Sequence, residues 1–311
     1  MTTYLITGGA GFVGSNLAAT LVARQEKVRI FDDFSTGSYT NLATFADQIE
    51  IIEGDVRSYH LVQAAMEGVD FVLHQAALAS VPRSVRDPIT TEAVNTIGTL
   101  NVLHAAKKAG VKRVIFASSC ALYGDNEVLP KHEAMFPEPL SPYAVSKLAG
   151  EHYCEVFWRL YNLETVSLRY FNVYGPHQDP ASQYSAVIPL FISAILRDQP
   201  LILHGDGTQS RDFVFVADVV QANLLACVAP DAAGKCFNIA QGRRYSLLDL
   251  IKYLSQVTAK QPSVHHIARR VGDVHHSQAD IIRATDVLDY YPQKSLQEGL
   301  AQTVQWFRQA L

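Results

Sequence analysis

One pattern of residues in this sequence is suited to acid–base chemistry. Tyr143 and Lys147 stand four residues apart in the segment YAVSK, so that both side chains lie on one side of a helix. Ser119 precedes them at the end of an apolar run. A tyrosine accepts a proton near neutral pH only if its pKa falls by about three units from ~10, which requires about 4 kcal/mol of preferential phenolate stabilisation. We expect Lys147 to help supply it, while Ser119 holds the substrate oxygen and relays the proton.

A second pattern is the glycine-rich turn GGAGFVG at residues 8–14, which follows an apolar run and opens a helical segment. Its G-x-x-G-x-x-G spacing lets the backbone turn tightly, lets a pyrophosphate approach the main chain and directs helix N–H groups at the anion. Glycine-rich turns also occur where they only allow close packing, so the residues that follow the turn must distinguish packing from dinucleotide binding. The residues that we expect to cradle a dinucleotide are Gly8, Gly11, Phe12, Val13 and Gly14.

The residues after the glycine turn indicate NAD rather than NADP. Asp32 ends the second predicted strand, about 18 residues beyond the last glycine, where a carboxylate accepts the ribose hydroxyls and repels a 2′-phosphate. No arginine stands directly beside it. Asp55 and Val56 follow the third strand and suit the adenine edge, although an Asp at this place can also cap a helix. Three residues after the fourth strand should lie against the cofactor: Gln75, Ala76 and Ala77.

The composition is that of an ordinary globular protein. Of 311 residues, 48% are hydrophobic and 18% are charged. A chain of this length buries roughly 75% of its unfolded surface and needs no disulfide or metal to fold. The formal net charge is -4, and no stretch concentrates basic residues. We therefore expect neither a nucleic acid nor a membrane as a partner.

The cysteines and histidines form no metal-binding pattern. The cysteines lack C-x-x-C spacing and lie in apolar or helical stretches, which favours buried thiols. They are Cys120, Cys154, Cys227 and Cys236. The histidine pairs at 265–266 and 275–276 cannot face one metal from the same side of a regular element, so no metal site is expected. The first residues run into an apolar strand without a leader pattern, which predicts a cytoplasmic protein.

Short β-branched runs alternate with longer amphipathic ones, which predicts an α/β fold with a doubly wound parallel sheet of the Rossmann type. Strands are expected near 3–7, 28–32, 49–52, 70–74, 112–118 and 164–169. Beyond about residue 175, prolines and short elements predict a smaller C-terminal α/β domain, with a strand near 236–240 and helices near 246–257 and 295–310. We expect an NAD-binding domain over 1–175, with returns near 212–241 and 275–290, and a substrate domain mainly over 176–311.

Taken together, the motifs resemble those of the extended short-chain dehydrogenase/reductases and, over nearly the whole chain, the UDP-hexose 4-epimerases. The supporting segments are GGAGFVG, HQAALASVPRSV, NTIGTLNVL, ASSCALYG, SPYAVSK, RYFNVYGP, YSAVIP, SRDF and GDVHHSQAD. The resemblance implies that Ser119, Tyr143 and Lys147 are catalytic. It further implies cofactor contacts by Asn95 and Tyr170 and UDP-sugar contacts by Asn172, Val187, Arg211, Arg270 and Asp273. It also implies a homodimer formed through the helices near 96–109 and 143–161.

The reaction implied by the resemblance is a transient oxidation of a UDP-sugar. Tyr143 takes the proton of the 4-hydroxyl, hydride passes from C4 to NAD, the 4-keto sugar turns over, and the hydride returns to its other face. Sugar 4,6-dehydratases carry an Asp-Glu pair, and UDP-glucuronate decarboxylases a glutamate, where Cys120 and Ala121 stand in this chain. Both activities are therefore disfavoured. A UDP-glucuronate 4-epimerase and a regulatory protein that only binds NAD stay open.

Among the epimerases, the sequence is most similar to those that interconvert UDP-GlcNAc and UDP-GalNAc, with the UDP-glucose/UDP-galactose enzymes as the alternative. Ser277 stands where epimerases restricted to plain sugars carry a tyrosine, so it leaves room for an N-acetyl group, or else it simply starts a turn. Ser84 and Gln178 are candidate sugar contacts, or they brace loops. Three departures bear on the sugar preference: Ala79, Cys120 and His177 stand in place of Gly, Ser and Arg.

Overall fold

The structure, a computed structural model, describes residues 1–179, 187–268 and 274–310. The first half contains β1 (Thr3–Thr7), α1 (Phe12–Ala23), β2 (Lys27–Asp32), β3 (Glu50–Glu53), α2 (Tyr59–Ala65), β4 (Phe71–His74), α3 (Val81–Arg86), α4 (Pro88–Glu92), α5 (Gly98–Ala109), β5 (Arg113–Ser119) and α6 (Pro142–Tyr161). The second half contains β6 (Glu164–Tyr170), β7 (Asn172–Tyr174), α7 (Val187–Leu196), β8 (Leu201–His204), β9 (Ser210–Arg211), β10 (Phe213–Phe215), α8 (Val216–Val228), β11 (Lys235–Ile239), β12 (Tyr245–Ser246), α9 (Leu247–Thr258), β13 (Val264–Ile267), α10 (Ile282–Leu288) and α11 (Leu296–Ala310). A π-helical segment, Ala93–Ile97, joins α4 to α5.

Seven parallel strands of the described residues form the central sheet, in the order β11-β6-β5-β4-β1-β2-β3. Branched and apolar residues fill these strands because helices cover both faces of the sheet. The strand order reverses at β1, with β2 and β3 on one side and β4, β5 and β6 on the other. The predicted Rossmann-type fold is confirmed, and the predicted bounds of these strands lie within one residue of those observed.

The hydrophobic core lies on both faces of the sheet and extends into the C-terminal half. One cluster packs α1, α8 and α10 against the strands, and a second packs α2, α5 and α6 against the opposite face. A third cluster joins α7, α9 and α11 to β8 and β10. The division into two domains stays a prediction. Among the described residues, no helix is both long and apolar enough to cross a bilayer.

Helix α6 carries the Tyr-x-x-x-Lys pair, and its start is fixed by local sequence. The hydroxyl of Ser141 accepts a hydrogen bond from the N–H of Ala144 at 3.2 Å, and Pro142 occupies the first helical position, where its missing N–H costs nothing. The helix ends at Asn162, which adopts the left-handed conformation with φ of 55°. Because these signals fix where α6 begins and ends, they also fix where Tyr143 and Lys147 lie relative to the sheet.

A buried ion pair fastens α6 to the sheet. Arg169 of β6 donates from Nε and Nη2 to the two oxygens of Glu151 on α6, at 2.9 and 2.8 Å. The two side chains are only 5% and 9% exposed. Ser118 of β5 donates to the same carboxylate at 2.5 Å, and Arg169 also donates to the hydroxyl of Tyr123 at 3.0 Å. Since neither charge reaches water, each depends on the other for compensation.

Glu151→Gln should lower the free energy of unfolding by about 3 kcal/mol, because the guanidinium of Arg169 then stays buried without its counter-charge. The matched control is Glu155→Gln on the same helix. Its partner, Arg159, is 72% exposed, so this change should cost less than about 1 kcal/mol. Urea denaturation at pH 7 measures both losses. Equal losses of stability in the two variants would show that burial does not determine how much the Glu151–Arg169 pair stabilises the fold.

Candidate active site

Three side chains predicted to be catalytic meet where β5 ends beside the first turns of α6. Ser119 ends β5, and its side chain lies close enough to the phenol of Tyr143 to lower the pKa of that group. The ammonium of Lys147 lies 5.9 Å from the Tyr143 ring centroid, and its Nζ donates to the carbonyl of Ala117 at 2.7 Å. The structure therefore brings the trio together, and the roles of its members stay predictions.

The electrostatics of this trio differ from the expectation. Burial raises the pKa of Tyr143 to about 12. The neighbouring Ser119 hydroxyl opposes this rise, whereas the Cys120 thiol adds to it. Burial also lowers the pKa of Lys147 to about 8. Lys147 is not among the groups that shift the pKa of Tyr143 in the chain by itself, so its expected effect stays a prediction for the complex with NAD. The ammonium donates to the carbonyl of Ala117 rather than to the phenol, and burial disfavours the charged form of both groups.

The glycine turn brings the backbone close to its neighbours. Gly8 has φ of 68°, and a Cβ there would lie 2.6 Å from the amide nitrogen of Ala76. A Cβ on Gly14 would overlap the carbonyl oxygen of Gly8 and lie 2.7 Å from the Cα of Gly9. Only glycine fits at Gly8 and Gly14, which agrees with a turn built for close approach of a pyrophosphate.

The first turn of α1 completes this cradle. The N–H of Gly11 donates to the carbonyl of Gly8 at 3.2 Å. Phe12 packs against the C-terminal core cluster and Val13 against the first one, which anchors the helix start. No side chain in the described part of the chain caps this N-terminus. Its N–H groups are therefore suited to bind the diphosphate of NAD.

Asp32 ends β2 beside the glycine turn, as a ribose-binding carboxylate would. Its Oδ2 accepts the N–H of Ala10 at 2.9 Å and its Oδ1 accepts that of Phe34 at 2.8 Å. Burial raises the pKa of Asp32, these two bonds lower it, and Asp33 raises it. The two backbone bonds fix the carboxylate in place, and each oxygen keeps a lone pair for a ribose hydroxyl.

Asp55 does not cap a helix. The residue preceding α2 is Ser58, whereas Asp55 accepts from Nε of Arg57 at 2.8 Å. This hydrogen bond to Arg57 lowers the pKa of Asp55, against the opposing effect of burial. Val56 is 5% exposed and lies against α5, where a Cβ on Gly98 would come within 2.6 Å of its Cγ2. The pair therefore follows the carboxyl end of β3, and the helix-cap interpretation of Asp55 is wrong.

Two residues predicted to contact the cofactor contact each other. The hydroxyl of Tyr170 lies 3.2 Å from Oε1 of Gln75, and Nδ2 of Asn223 donates to this hydroxyl at 2.8 Å. Asn223, on α8, has no exposed surface and was missed by sequence reasoning. The feature of the sequence that could have identified Asn223 is a single asparagine within an apolar helical segment. Next to Gln75, Ala76 contacts Gly8 and Ala77 is half-buried.

Asn95 lies in the π-helical segment and is 2% exposed. Its Oδ1 accepts the N–H of Leu78 at 2.8 Å, and its Nδ2 donates to the carbonyl of Leu78 at 3.2 Å and to Oγ of Ser146 at 3.0 Å. Both amide protons are thus used within the protein. Asn95 joins the segment after β4 to helix α6, so any effect that it has on a cofactor acts through these partners.

The SRDF segment crosses the site on the side of the C-terminal half. Nη1 of Arg211 donates to the carbonyls of Ser210 and His275, at 2.9 and 3.2 Å. Asp212 is fully buried and accepts the N–H groups of Gln241 and Ala279, at 2.8 and 3.1 Å. Burial raises its pKa to about 7, against the lowering effect of these bonds. Sequence reasoning missed Asp212, although an acid beside the predicted substrate arginine was visible.

The segment around Ser277 runs along SRDF toward Ser119. The N–H of Ser277 donates to the carbonyl of Ser210 at 3.0 Å, and its side chain is half-buried. Ala279 packs in a small cluster with Cys120, which follows Ser119. Asn172 starts β7, and its N–H donates to the carbonyl of Asp212 at 3.1 Å. The predicted substrate residues in these segments therefore come close to the end of β5.

The other predicted substrate residues are less clearly placed. Ser84 has no exposed surface and donates to the carbonyl of Val81 at 2.7 Å within α3, which agrees with the bracing interpretation. Nε2 of Gln178 donates to the carbonyl of Val173 at 3.3 Å, while its buried Oε1 has no partner among the described residues. Val187 starts α7 and packs on the C-terminal cluster. Arg270 and Asp273 lie outside the described residues.

The three departures from the family pattern have different surroundings. Ala79 is exposed. His177 has φ of 69°, and its Nδ1 lies 2.8 Å from Oγ of Ser15 on α1. Its ring packs against that of Trp306 at a tilt of 54°. Burial raises the pKa of the Cys120 thiol to about 12. Arg211 opposes this rise and Asp212 adds to it.

The four cysteines are all free thiols. Cys154 and Cys227 are buried as expected, but Cys120 and Cys236 are only half-buried, so the expectation of buried thiols holds for two of the four.

A family match agrees with this geometry. Residues 4–240 match the NAD dependent epimerase/dehydratase family. The chain belongs to that family. The resemblance deduced from the motifs is thereby confirmed, as is NAD as the cofactor.

Similar proteins cover the chain from end to end. A UDP-glucose 4-epimerase of Mycolicibacterium smegmatis is 37% identical over 308 residues, which is 98% of each chain. A UDP-N-acetylglucosamine 4-epimerase of Methanobrevibacter ruminantium, solved with UDP-N-acetylmuramic acid, has a TM-score of 0.96 at 38% identity and covers 100% of this chain and 99% of its own. A UDP-glucose 4-epimerase of Thermus thermophilus, solved with NAD, has a TM-score of 0.91 at 35% identity and covers 100% of both chains.

Gly14→Ala should abolish retention of NAD, because the added methyl group overlaps the carbonyl of Gly8 and forces the turn to open. Gly299→Ala is the matched control. There the methyl group would come within 2.9 Å of the Phe215 ring, in the C-terminal core and away from the glycine turn. Both variants should lose stability, but only Gly14→Ala should lose NAD. Heat-released NAD per folded molecule gives the answer, and equal NAD content in the two variants would contradict the assigned cradle.

Proposed function

We propose that this protein is an NAD-dependent 4-epimerase of UDP-N-acetylhexosamines that interconverts UDP-GlcNAc and UDP-GalNAc through a transient 4-keto sugar. The observation that carries this proposal is the meeting of Ser119, Tyr143 and Lys147 at the carboxyl edge of the sheet, with the Lys147 ammonium 5.9 Å from the Tyr143 ring centroid. Membership of the epimerase/dehydratase family supports sugar oxidation. The names of the similar proteins support a UDP-sugar as substrate.

The trio has the groups that transient oxidation needs. NAD supplies, when bound, the acceptor and donor of hydride together with a positive charge. Ser119, beside the phenol, passes the proton of the sugar 4-hydroxyl to Tyr143 and passes it back from Tyr143 to the sugar oxygen when the hydroxyl is restored. Burial by itself raises the pKa of Tyr143 to about 12, so the phenolate needs positive charge beside it before it can accept a proton near pH 7. Lys147 holds its ammonium 5.9 Å from the Tyr143 ring centroid, where it would add to the positive charge that bound NAD supplies.

The site lacks the groups that elimination needs. Removing water from a sugar requires a second acid or base beside the catalytic hydroxyl. The residue after Ser119 is Cys120, whose thiol stays neutral because burial raises its pKa to about 12, and the next residue is Ala121. Dehydration is therefore not proposed, although the family includes dehydratases by name.

Small side chains support the N-acetylated sugar. Ser277 is half-buried on the segment that leads to Ala279 and Cys120, and its short side chain leaves more space there than a tyrosine would. A relative that is 37% identical is named a UDP-glucose 4-epimerase, which favours the plain sugars as the second candidate. A UDP-glucuronate 4-epimerase and a regulatory protein that only binds NAD are the remaining alternatives.

The proposed function is tested by turnover of purified protein with UDP-GlcNAc, UDP-glucose and UDP-glucuronate, without added cofactor. We expect UDP-GlcNAc to have the highest kcat/KM. Substrate deuterated at C4 should keep its label at C4 of the product, because the same hydride returns to the sugar. NAD binding without turnover of any of these sugars would favour the regulatory protein instead. Washout of the label into solvent would contradict the mechanism.

Tyr143→Phe should bind the UDP-sugar almost normally and lose at least about 10³-fold in kcat, because only the proton acceptor is removed. Ser119→Ala should lose less, about 10²-fold, since water can partly replace a relay. The matched control is Tyr153→Phe, a half-buried tyrosine on the same helix that should leave kcat within about twofold. Steady-state rates and UDP-sugar titrations separate binding from chemistry. Turnover near wild type for Tyr143→Phe would rule out its assignment.

Ser277→Tyr should suppress kcat/KM for UDP-GlcNAc far more than for UDP-glucose, because packing a ring against an acetamido group costs about 1–3 kcal/mol, or roughly 10–100-fold. Ser277→Ala is the control, since it removes the hydroxyl without filling space, and it should leave the ratio of the two substrates unchanged. A ratio that stays within about threefold of wild type for Ser277→Tyr would contradict a role in sugar selection.

We also propose the two-domain division and the homodimer that the sequence predicted. The separate core cluster of α7, α9 and α11 supports the division, and α8 and α10 in the first cluster support the returns. Apolar side chains at the surface of α6 and at the end of the π-helical segment before α5 support the dimer: Leu160 is 71% exposed and Ile97 is 48% exposed. A cytoplasmic location stays a prediction.

A further inference from the structure

His74 is a buried histidine between the glycine turn and helix α6. It ends β4, lies in register with Thr7 at the end of β1, and is 1% exposed. Its Nδ1 lies 2.6 Å from Oγ1 of Thr7, and its Nε2 lies 3.0 Å from Oγ1 of Thr99. Both ring nitrogens are therefore hydrogen-bonded inside the protein, at the point where the strand order of the sheet reverses.

Counting donors fixes the protons on this ring. The hydroxyl of Thr99 donates its single proton to the carbonyl of Asn95 at 2.5 Å, so toward His74 it can only accept. Nε2 must then carry the ring proton. Nδ1 of the neutral ring accepts the proton of the Thr7 hydroxyl, whose oxygen is left to accept the N–H of Ala76 at 3.4 Å. The hydrogen bonds thus run in one direction, from Thr7 through His74 to Thr99 and Asn95.

The surroundings of His74 keep it neutral. The ring packs on Phe116 of β5, with centroids 5.8 Å apart, between Thr7 of β1 and Thr99 of α5. Burial and, as the smaller effect, the ammonium of Lys147 on α6 together lower the pKa of His74 to about 3. No carboxylate of the described residues contributes to this shift. A second proton would have to enter a dry site beside a cation.

The chain of hydrogen bonds continues to the catalytic helix. Nδ2 of Asn95 donates to Oγ of Ser146 at 3.0 Å, and that hydroxyl donates to the carbonyl of Tyr143 at 2.8 Å. At the other end, Thr7 directly precedes Gly8, which has no room for a Cβ beside Ala76. One continuous path therefore joins the glycine turn to the backbone of the proposed proton acceptor.

We propose that His74, as the neutral Nε2–H tautomer, is a positioning residue that fixes the catalytic turn of α6 relative to the cofactor cradle. Only the predicted effects on kcat rest on the proposed function, whereas the tautomer of His74 does not. His74 touches no reacting atom. It acts through Thr99, Asn95 and Ser146, and its loss displaces the phenol rather than the substrate. A displacement of less than 1 Å lowers a rate by one to two orders of magnitude without changing binding in proportion.

The tautomer is tested without any assay of activity. Histidine labelled with ¹⁵N in the ring distinguishes Nε2–H, Nδ1–H and charged rings by their nitrogen shifts, and the His74 signals are those missing from His74→Gln. We expect a neutral Nε2–H ring at pH 7 that stays neutral down to pH 5. A charged ring or the Nδ1–H tautomer in the wild-type protein would overturn the proposal.

The positioning role is tested with a pair of matched threonines. Thr99 and Thr303 are both buried, and each donates to the carbonyl one turn back, at 2.5 and 2.7 Å, but only Thr99 also bonds a histidine. Thr99→Val should lower kcat about tenfold or more with KM within about threefold, while Thr303→Val stays within about twofold. Equal changes in kcat for both variants would reduce Thr99 to a packing role and overturn the proposal.

A double-mutant cycle asks whether the ring transmits the effect. Thr7→Val and Thr99→Val preserve shape and remove one partner of His74 each. If the ring joins them, the double variant should be no more than about threefold slower than the slower single variant. Losses in kcat that multiply independently would overturn the proposal. Wild-type turnover is measured in parallel, so absence of epimerisation counts against the proposed function, while the nitrogen shifts still decide the tautomer.

Discussion

The central place of β1 in the sheet is the constraint on which the site depends. Strand β2 lies on one side of it and β4 on the other, so the connections that leave the carboxyl ends of β1 and β4 diverge. Divergent connections leave a crevice at that edge, and doubly wound folds bind dinucleotides there. The glycine turn follows β1, Asp32 ends β2 and Ala76 follows β4. The order of the strands thus places all three beside one crevice.

Buried polar networks hold the catalytic elements around this crevice. Glu151 and Arg169 fasten α6 to β6, the Asp212 carboxylate joins SRDF to the segments at Gln241 and Ala279, and His74 joins β1 and β4 to α5. Leaving one buried polar group unpaired costs about 1–3 kcal/mol, so such networks tolerate few alternative arrangements. The fixed geometry that proton and hydride transfer requires follows from this intolerance.

Much of the fold and part of the site follow from local sequence. The strands were predictable because β-branched runs and their turns recur at regular intervals, and Gly8 and Gly14 because no other residue fits those places. Ser119, Tyr143 and Lys147 were found from their types and spacing. The partner of Asp55 and the internal bond of Ser84 were not, since both depend on how a turn closes. The shifted pKa of Tyr143 was also missed, because burial is a property of the packed molecule.

The sequence by itself determined the strands of the sheet, the glycine turn and the choice of Ser119, Tyr143 and Lys147 as candidates. Each of these depends on residues that lie near one another along the chain. Only the tertiary structure decided what surrounds them. Asn223 reaches Tyr170, Asp212 reaches Ala279 and His74 lies between Thr7 and Thr99, although these partners are far apart along the chain. Periodicity and spacing report contacts within a few residues. The direction of a hydrogen bond and the charge of a buried group depend on partners that only packing brings within about 3 Å.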